Sequence, residues 1–278
     1  MKQLFLSAVL MASILCSQAQ PIVTPQPSPT QTVKQNFSVG SMELSYSRPG
    51  LKGRKLGTDL APYGKVWRTG ANAATTIQFT DDVTIGGTNI KAGKYGLLSI
   101  PDAKEWILII TKDLTVNQPA LYKQENDVVR VKAPVMKLAD KVETFTIQFA
   151  NITNSTSDLQ LMWENSAVTL PIVTNTDEKV MKQINDIFNK DSKPYFAAAQ
   201  YYYENNKELP KAKEWVDKAL TDPANAKAFY MYLLKARIHQ KMGDKAGAKT
   251  NAEKTITLAT EAQNDDYVKM AQDLIKGL

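Results

Sequence analysis

From position 32 to 172, apolar and polar residues tend to alternate. Met42, Leu44 and Tyr46 stand between Ser41, Glu43, Ser45 and Ser47, the mark of a strand with one buried face. Ile77 and Phe79 repeat the pattern after Thr75 and Thr76. Val83 and Ile85 run into Gly86-Gly87, a hairpin signal, and Ile90 follows. Ala92-Gly93 predicts another turn ahead of a strand over 95–100. Pro101-Asp102 then turns the chain into 106–110, which is apolar on both faces and so reads as a central strand. Stretches 128–131, 145–149, 159–163 and 168–172 complete the set. Many short strands and no long helix predict an all-β sandwich or jelly-roll-like domain over 32–173. The crossover helices of a parallel α/β sheet are missing.

At Thr174 the alternation stops and alanine, lysine and glutamate take over. Helices are predicted over 178–189, 193–206, 210–221, 225–242, 245–260 and 266–276. Pro194 and Pro210 suit first-turn positions, and Gly243 suits a helix stop. The connections are short, which predicts helical hairpins over 174–278. Two pieces resemble tetratricopeptide repeats. Ala212, Trp215, Ala219 and Pro223 form one, and Ala236, Gly243-Asp244, Ala248 and Ala252 the other. The match is degenerate, with Thr255 at an expected alanine, so a generic bundle stays open. Such arrays stack on neighbours or bind peptides, and seldom catalyse.

The front of the chain is of another kind. Lys2, an apolar run over 4–15 and Ser17-Gln18-Ala19 predict a secretory signal peptide over 1–19, cut after Ala19. The run is too short for a permanent membrane span. Four prolines in 20–31 predict an extended linker. A second reading makes Cys16 a lipidated N-terminus, although Leu15 stands where a lipoprotein signal wants a small residue. Cys16 is the sole cysteine, so the cleaved chain has no disulfide, thiol nucleophile or cysteine metal site. The net charge of +6 is spread as scattered lysines with no basic block, and nucleic acid is not an expected partner.

Residues 48–72 break the strand pattern. They hold Arg48, Arg54 and Arg68, three of the chain's five arginines, with Tyr63, Trp67, Asn72 and five glycines. Such a segment predicts a long shaped loop, where sites tend to live. A guanidinium offers forked donors to carboxylate, phosphate or sulfate. Tyr63 and Trp67 offer a stacking surface for a sugar ring. Each has a plainer reading. The arginines would brace the loop on backbone carbonyls and on acids such as Asp59, and Trp67 would anchor it to the sheet. Residue by residue the plainer readings weigh more; the loop remains the place where a ligand would bind.

Elsewhere the chemistry is thin. Trp106 and Trp163 sit inside apolar strands and read as core. His239, the sole histidine, has no cysteine or second histidine near it and reads as a packing or surface residue. Asp81, Asp82 and Asp158 are turn acids, and Asp127 lies near Arg130; no motif pairs two carboxylates for glycoside hydrolysis. There is no phosphate-cradling glycine loop and no HExxH helix, so no cofactor and no metal is expected. The aromatic run Tyr201, Tyr202 and Tyr203, with Tyr195 and Phe196, reads as core with some surplus for a partner groove.

Several separate motifs carry a family resemblance: YSRPGLKGR at 46–54, PYGKVWRTGAN at 62–72, KAGKYGLLSIP at 91–101, ETFTIQF at 143–149 and LQLMWENSAVTLPI at 159–172. The chain resembles the domain-of-unknown-function family 2911, found in exported bacterial proteins, over about 33–172. The resemblance implies a fold and an envelope location, and no established activity. It departs at Ala73, where relatives often carry an acid after the asparagine. Chemistry done there by a carboxylate would be lacking in this copy.

These readings combine into a functional expectation. The chain is expected to be a periplasmic or envelope protein with no transmembrane segment once mature. Arg48, Arg54, Tyr63, Trp67, Arg68 and Asn72 would bind a small anionic or glycan ligand, and the helical tail would dock a protein. The alternatives are a carboxylate-dependent hydrolase of envelope carbohydrate and a structural scaffold.

Overall fold

The computed structural model describes residues 24–189 and 193–278. The predicted signal peptide, Cys16 and the front of the predicted linker lie outside the described residues. The chain divides into two compact units between Thr174 and Asn175.

The first unit is built of antiparallel strands. β1 (Thr30–Phe37), β2 (Gly40–Ser47), β3 (Thr76–Phe79), β6 (Gly93–Ile100), β7 (Glu105–Thr111) and β8 (Asp127–Pro134) form one sheet in the order β1-β2-β3-β6-β7-β8. β5 (Thr88–Ile90), β4 (Val83–Ile85), β10 (Thr156–Val173) and β9 (Met136–Ala150) form the other, in the order β5-β4-β10-β9. The alternation explains the core: Met42, Leu44 and Tyr46 of β2 are buried together with Phe145 and Ile147 of β9 and Leu161 and Trp163 of β10. Each such side chain contributes about 1.5–3 kcal/mol on leaving water. β7 is apolar on both faces because both are covered. Trp106, Leu108 and Ile110 join the main core, while Ile109 meets Leu98 and Val116 in a smaller cluster flanked by Val66 and Tyr122.

Among the details that differ from the pattern-based reading, two concern how strands are bounded. β1 begins inside the predicted linker, because an edge strand made of Thr, Gln, Lys and Asn has little apolar alternation to announce it. The stretches 159–163 and 168–172 are one long strand, β10. Its pairing with β9 shifts register between Met162 and Glu164 and again between Glu164 and Ser166. Glu164 has φ +54, so the bulge interrupts the alternation without ending the strand.

Among its described residues the second unit has six α-helices: α1 (Thr176–Phe188), α2 (Tyr195–Glu204), α3 (Leu209–Ala219), α4 (Phe229–Lys241), α5 (Lys245–Glu261) and α6 (Asp265–Lys276). Three begin on a side chain that accepts from the backbone three residues on: Asn175 from Glu178, Asp244 from Gly247 and Asn264 from Tyr267. Gly243, at φ +82, ends α4 in the left-handed conformation that glycine adopts without strain. Ala236, Ala248, Ala252 and Ala271 are fully buried beside Leu233 and Leu274, so small side chains sit where α4, α5 and α6 meet. No helix among the described residues is long and apolar enough to cross a membrane.

Candidate functional site

The loop between β2 and β3 is stitched to both sheets. Its first residues lie against β9: Leu51 N donates to Glu143 O at 2.9 Å, Phe145 N donates to Pro49 O at 2.9 Å, and Gly50 pairs with Thr144. Its later residues lie against β6. Trp67 N donates to Ser99 O at 2.7 Å and Ser99 N returns the bond at 2.9 Å. Trp67 thus prolongs the six-stranded sheet beside β6, beyond the end of β3. A loop that completes two ladders satisfies donors and acceptors that burial would otherwise leave unpaired.

The arginines serve different parts of this clasp. Arg48 Nε donates to Phe145 O at 3.1 Å, and its Nη2 donates to Thr146 Oγ1 at 2.8 Å. Arg54 turns back on its own loop, donating to Leu51 O at 3.1 Å and Gly50 O at 3.0 Å. Asp59 accepts from Lys55 N at 2.9 Å, and no ion pair joins it to an arginine among the described residues. Arg68 reaches the other way, where its Nη1 donates to Asn117 O. The three guanidinium groups are therefore not brought together. Two are held against the β9 side of the loop and one against the segment that follows β7.

Trp67 is an anchor. Its ring stacks on Trp163 at 5.4 Å and 12° and meets Phe145 edge-on at 4.9 Å. Trp106 lies 6.3 Å away. The Tyr63 ring folds onto Gly57, whose φ is +86, and a Cβ there would fall 2.3 Å from the ring. Partial burial raises the Tyr63 phenol above its ordinary pKa, and the Glu164 and Asp102 carboxylates push the same way. Asn72, at φ +57, donates to Ser28 O at 3.0 Å and so ties down the lead into β1. Thr69 is also left-handed, at φ +57, which is costly for a β-branched residue. It is held by its hydroxyl on Ser99 Oγ at 2.9 Å and by Thr75 Oγ1 on its carbonyl at 2.7 Å.

Beside this clasp the structure forms a groove of about 280 Å³ between residues 62–68 and 117–119. Pro62, Val66, Trp67 and Pro119 make it apolar, and Lys65 and Arg68 bring positive charge to it. Arg68 Nε is sealed from water and has no acceptor among the described residues. Of the six loop residues singled out from sequence, Trp67 and Arg68 line this groove; Arg48, Arg54, Tyr63 and Asn72 do not.

A model of one protein family matches residues 28–172, just over half of the chain, and that family is described as a protein of unknown function (DUF2911). The chain belongs to the DUF2911 family. No curated protein and no solved structure matches it. The DUF2911 match covers the ten strands of the described residues except Val173, the last residue of β10, so the clasp is a feature of the part that matches the family.

The remaining polar residues named from sequence are engaged locally. Asp82 accepts from Lys91 Nζ at 2.8 Å and Ala92 N at 2.9 Å, and Asp158 accepts from Asn151 at 2.8 Å. Asp127 accepts from Tyr122 at 2.6 Å and pairs with Arg130 at 2.9 Å; burial, followed by the Asp127 contact, pushes the Tyr122 phenol up to about 12. In the helical unit, His239 is buried with Nδ1 at 2.7 Å from Asp244 Oδ2. No group of three or more His, Cys, Asp or Glu suited to a metal occurs among the described residues. Sequence reading missed the 117–119 wall, because Asn-Gln-Pro after a strand carries no signal beyond a turn. The two apolar faces of 106–110 are the trace that something covers the outer side of β7.

Proposed function

We propose that this DUF2911 chain is an exported, non-enzymatic binding protein. Its β unit takes a small ligand in the groove between 62–68 and 117–119, and its helical unit docks a protein. The leader read at 1–19 supports export. One observation carries the ligand reading: an apolar groove walled by two cations, Lys65 and Arg68, neither of which forms an ion pair among the described residues. The chemistry suited to it is an anionic group on a ring or short apolar body, an acidic sugar or an aromatic acid. Arg68 and Lys65 attract the anion, and Pro62, Val66 and Pro119 shelter the body. At about 280 Å³ the groove is near the small end of the ~300–1,000 Å³ typical of ligand sites, so the ligand is a single small unit. Arg48 and Arg54 belong to the clasp on its β9 side and do not touch the groove.

A melting-shift panel of neutral sugars, sugar acids, nucleotides and aromatic acids tests this. Acidic ring compounds should raise the melting temperature of the wild type, by the mass action that stabilises any ligand-binding fold. Arg68→Gln should abolish the shift. Arg48→Gln should lower the starting temperature and keep the shift. A panel in which no compound acts, or in which Arg68→Gln responds like the wild type, ends the ligand reading and leaves the clasp as a scaffold.

A further inference from the structure

The helical unit holds a second groove of about 350 Å³. It is lined by one face each of α2, α4 and α6. Tyr230, Leu234 and Arg237 recur at helical spacing on α4, opposite Phe196, Gln200 and Tyr203 of α2 and Tyr267 and Met270 of α6. The surface is aromatic: Phe196 meets Tyr230 edge-on at 5.2 Å, while Tyr230 and Met270 remain 39% and 43% exposed. Large apolar side chains left this open beside one another mark an interaction surface.

The electrostatics of the groove indicate what would fill it. Several cations of the helical unit are paired with acids. Lys213 and Lys235 both meet Asp217, at 2.7 and 2.6 Å; Lys207 meets Asp177 at 2.6 Å, Lys218 meets Glu214 at 2.5 Å and Lys269 meets Asp273 at 2.9 Å. Arg237 has no ion pair among the described residues; its Nη2 reaches only Met270 Sδ, at 3.8 Å. A thioether is a weak acceptor, so the guanidinium is held in place without being satisfied. At one end Lys241 lies 5.0 Å from the Tyr203 ring and adds positive charge. The one acid of the groove, Glu204, accepts from Gln200 Nε2 at 2.8 Å and forms no ion pair with Arg237.

We propose that this groove captures an extended peptide segment bearing an acidic side chain flanked by apolar residues. Arg237 takes the carboxylate through two parallel hydrogen bonds. Phe196, Tyr230 and Tyr267 take the apolar neighbours, and the Gln200 amide and the tyrosine hydroxyls bond the peptide backbone. A carboxylate is the group that a planar guanidinium in an apolar wall selects best. The inference rests on the reading of the helical unit as a docking surface and adds the partner's chemistry to it.

The test is a spotted array of random octapeptides probed with the full chain, with each retained peptide re-spotted with Glu→Gln and Asp→Asn changes. Retained peptides should share an acid beside apolar residues, and neutralising that acid should weaken binding about tenfold or more, the worth of one charged hydrogen bond. Arg237→Gln should erase the preference for acid over amide. Tyr230→Ala should weaken all peptides alike. Helical circular dichroism checks that each variant is folded. Peptides retained without an acidic preference overturn this inference and leave the docking reading standing. An array that retains none overturns both.

Discussion

Arg48 and Arg237 are the same side chain in opposite situations. Arg48 ends on the carbonyl of Phe145 and the hydroxyl of Thr146, while Arg237 ends on a sulfur. The difference follows from the backbone around them. A long loop leaves carbonyls without ladder partners, and a guanidinium with several donors is drawn to them. A helix satisfies its interior carbonyls within itself, so an arginine on α4 has no local backbone acceptor to take. It must find a side chain, water or another molecule. Arginine-rich composition in a loop is therefore weak evidence of a binding site, and a lone arginine on an apolar helix face is stronger evidence. Arg68 lies between the two cases, with one donor on Asn117 and Nε unused.

The largest test of the contrast is on the clasp itself. Trp67→Ala removes the ring that stacks on Trp163 and Phe145, and should cost about 3–5 kcal/mol, the usual effect of cutting a large aromatic from a core. Urea unfolding followed by near-ultraviolet circular dichroism measures it; a loss under about 1 kcal/mol would mean the loop is not anchored there. Next comes the direct comparison. Arg48→Gln should cost about 1.5–3 kcal/mol, because its bonds are charge-assisted and half-buried. Arg237→Gln should stay within about 0.5 kcal/mol, because only a weak contact to a thioether is lost. Equal losses from the two variants would remove the distinction between a brace and an unengaged arm.

The strands were readable because their alternation is strong where one face is buried. β2, β3, β6 and β7 fall where Met42, Ile77, Leu97 and Trp106 put them. The helical half was readable from its small residues and prolines. What escaped was whatever depends on pairing across distance. β1 is polar and owes its existence to its ladder with β2, which no local pattern encodes. The β10 bulge at Glu164 read as a gap between two strands. In the loop, residue types singled out the region, yet which arginine faces a groove depends on whether β9 or the segment after β7 runs alongside. That is a property of the topology, and the six residues looked alike until it was known.

The smallest test takes the contrast to the other polar group of the backbone. Where the loop has orphan carbonyls, a helix start has orphan N–H groups, and these draw carboxylates. Asp244 begins α5 by accepting from Gly247 N at 2.9 Å, and its other oxygen lies 2.7 Å from His239 Nδ1. An ionised carboxylate only accepts, so Nδ1 carries the proton. The Gly247 bond, followed by the His239 contact, holds the Asp244 carboxyl below its ordinary 3.8. A lowered folded pKa means that the stabilisation is present above the unfolded value and is lost as the pH falls through the folded one. Asp244→Asn keeps the cap, since asparagine accepts at this position nearly as well, and removes the charge. The variant should therefore melt slightly below the wild type at pH 7, and the gap should close below pH 3.8 as the wild-type carboxyl takes up its proton. Thermal melts of both proteins at pH 7 and in acid read this directly. A gap that stays constant would show that the carboxylate acts by shape alone, and that helix starts, unlike the arginine-braced loop, draw nothing from the charge.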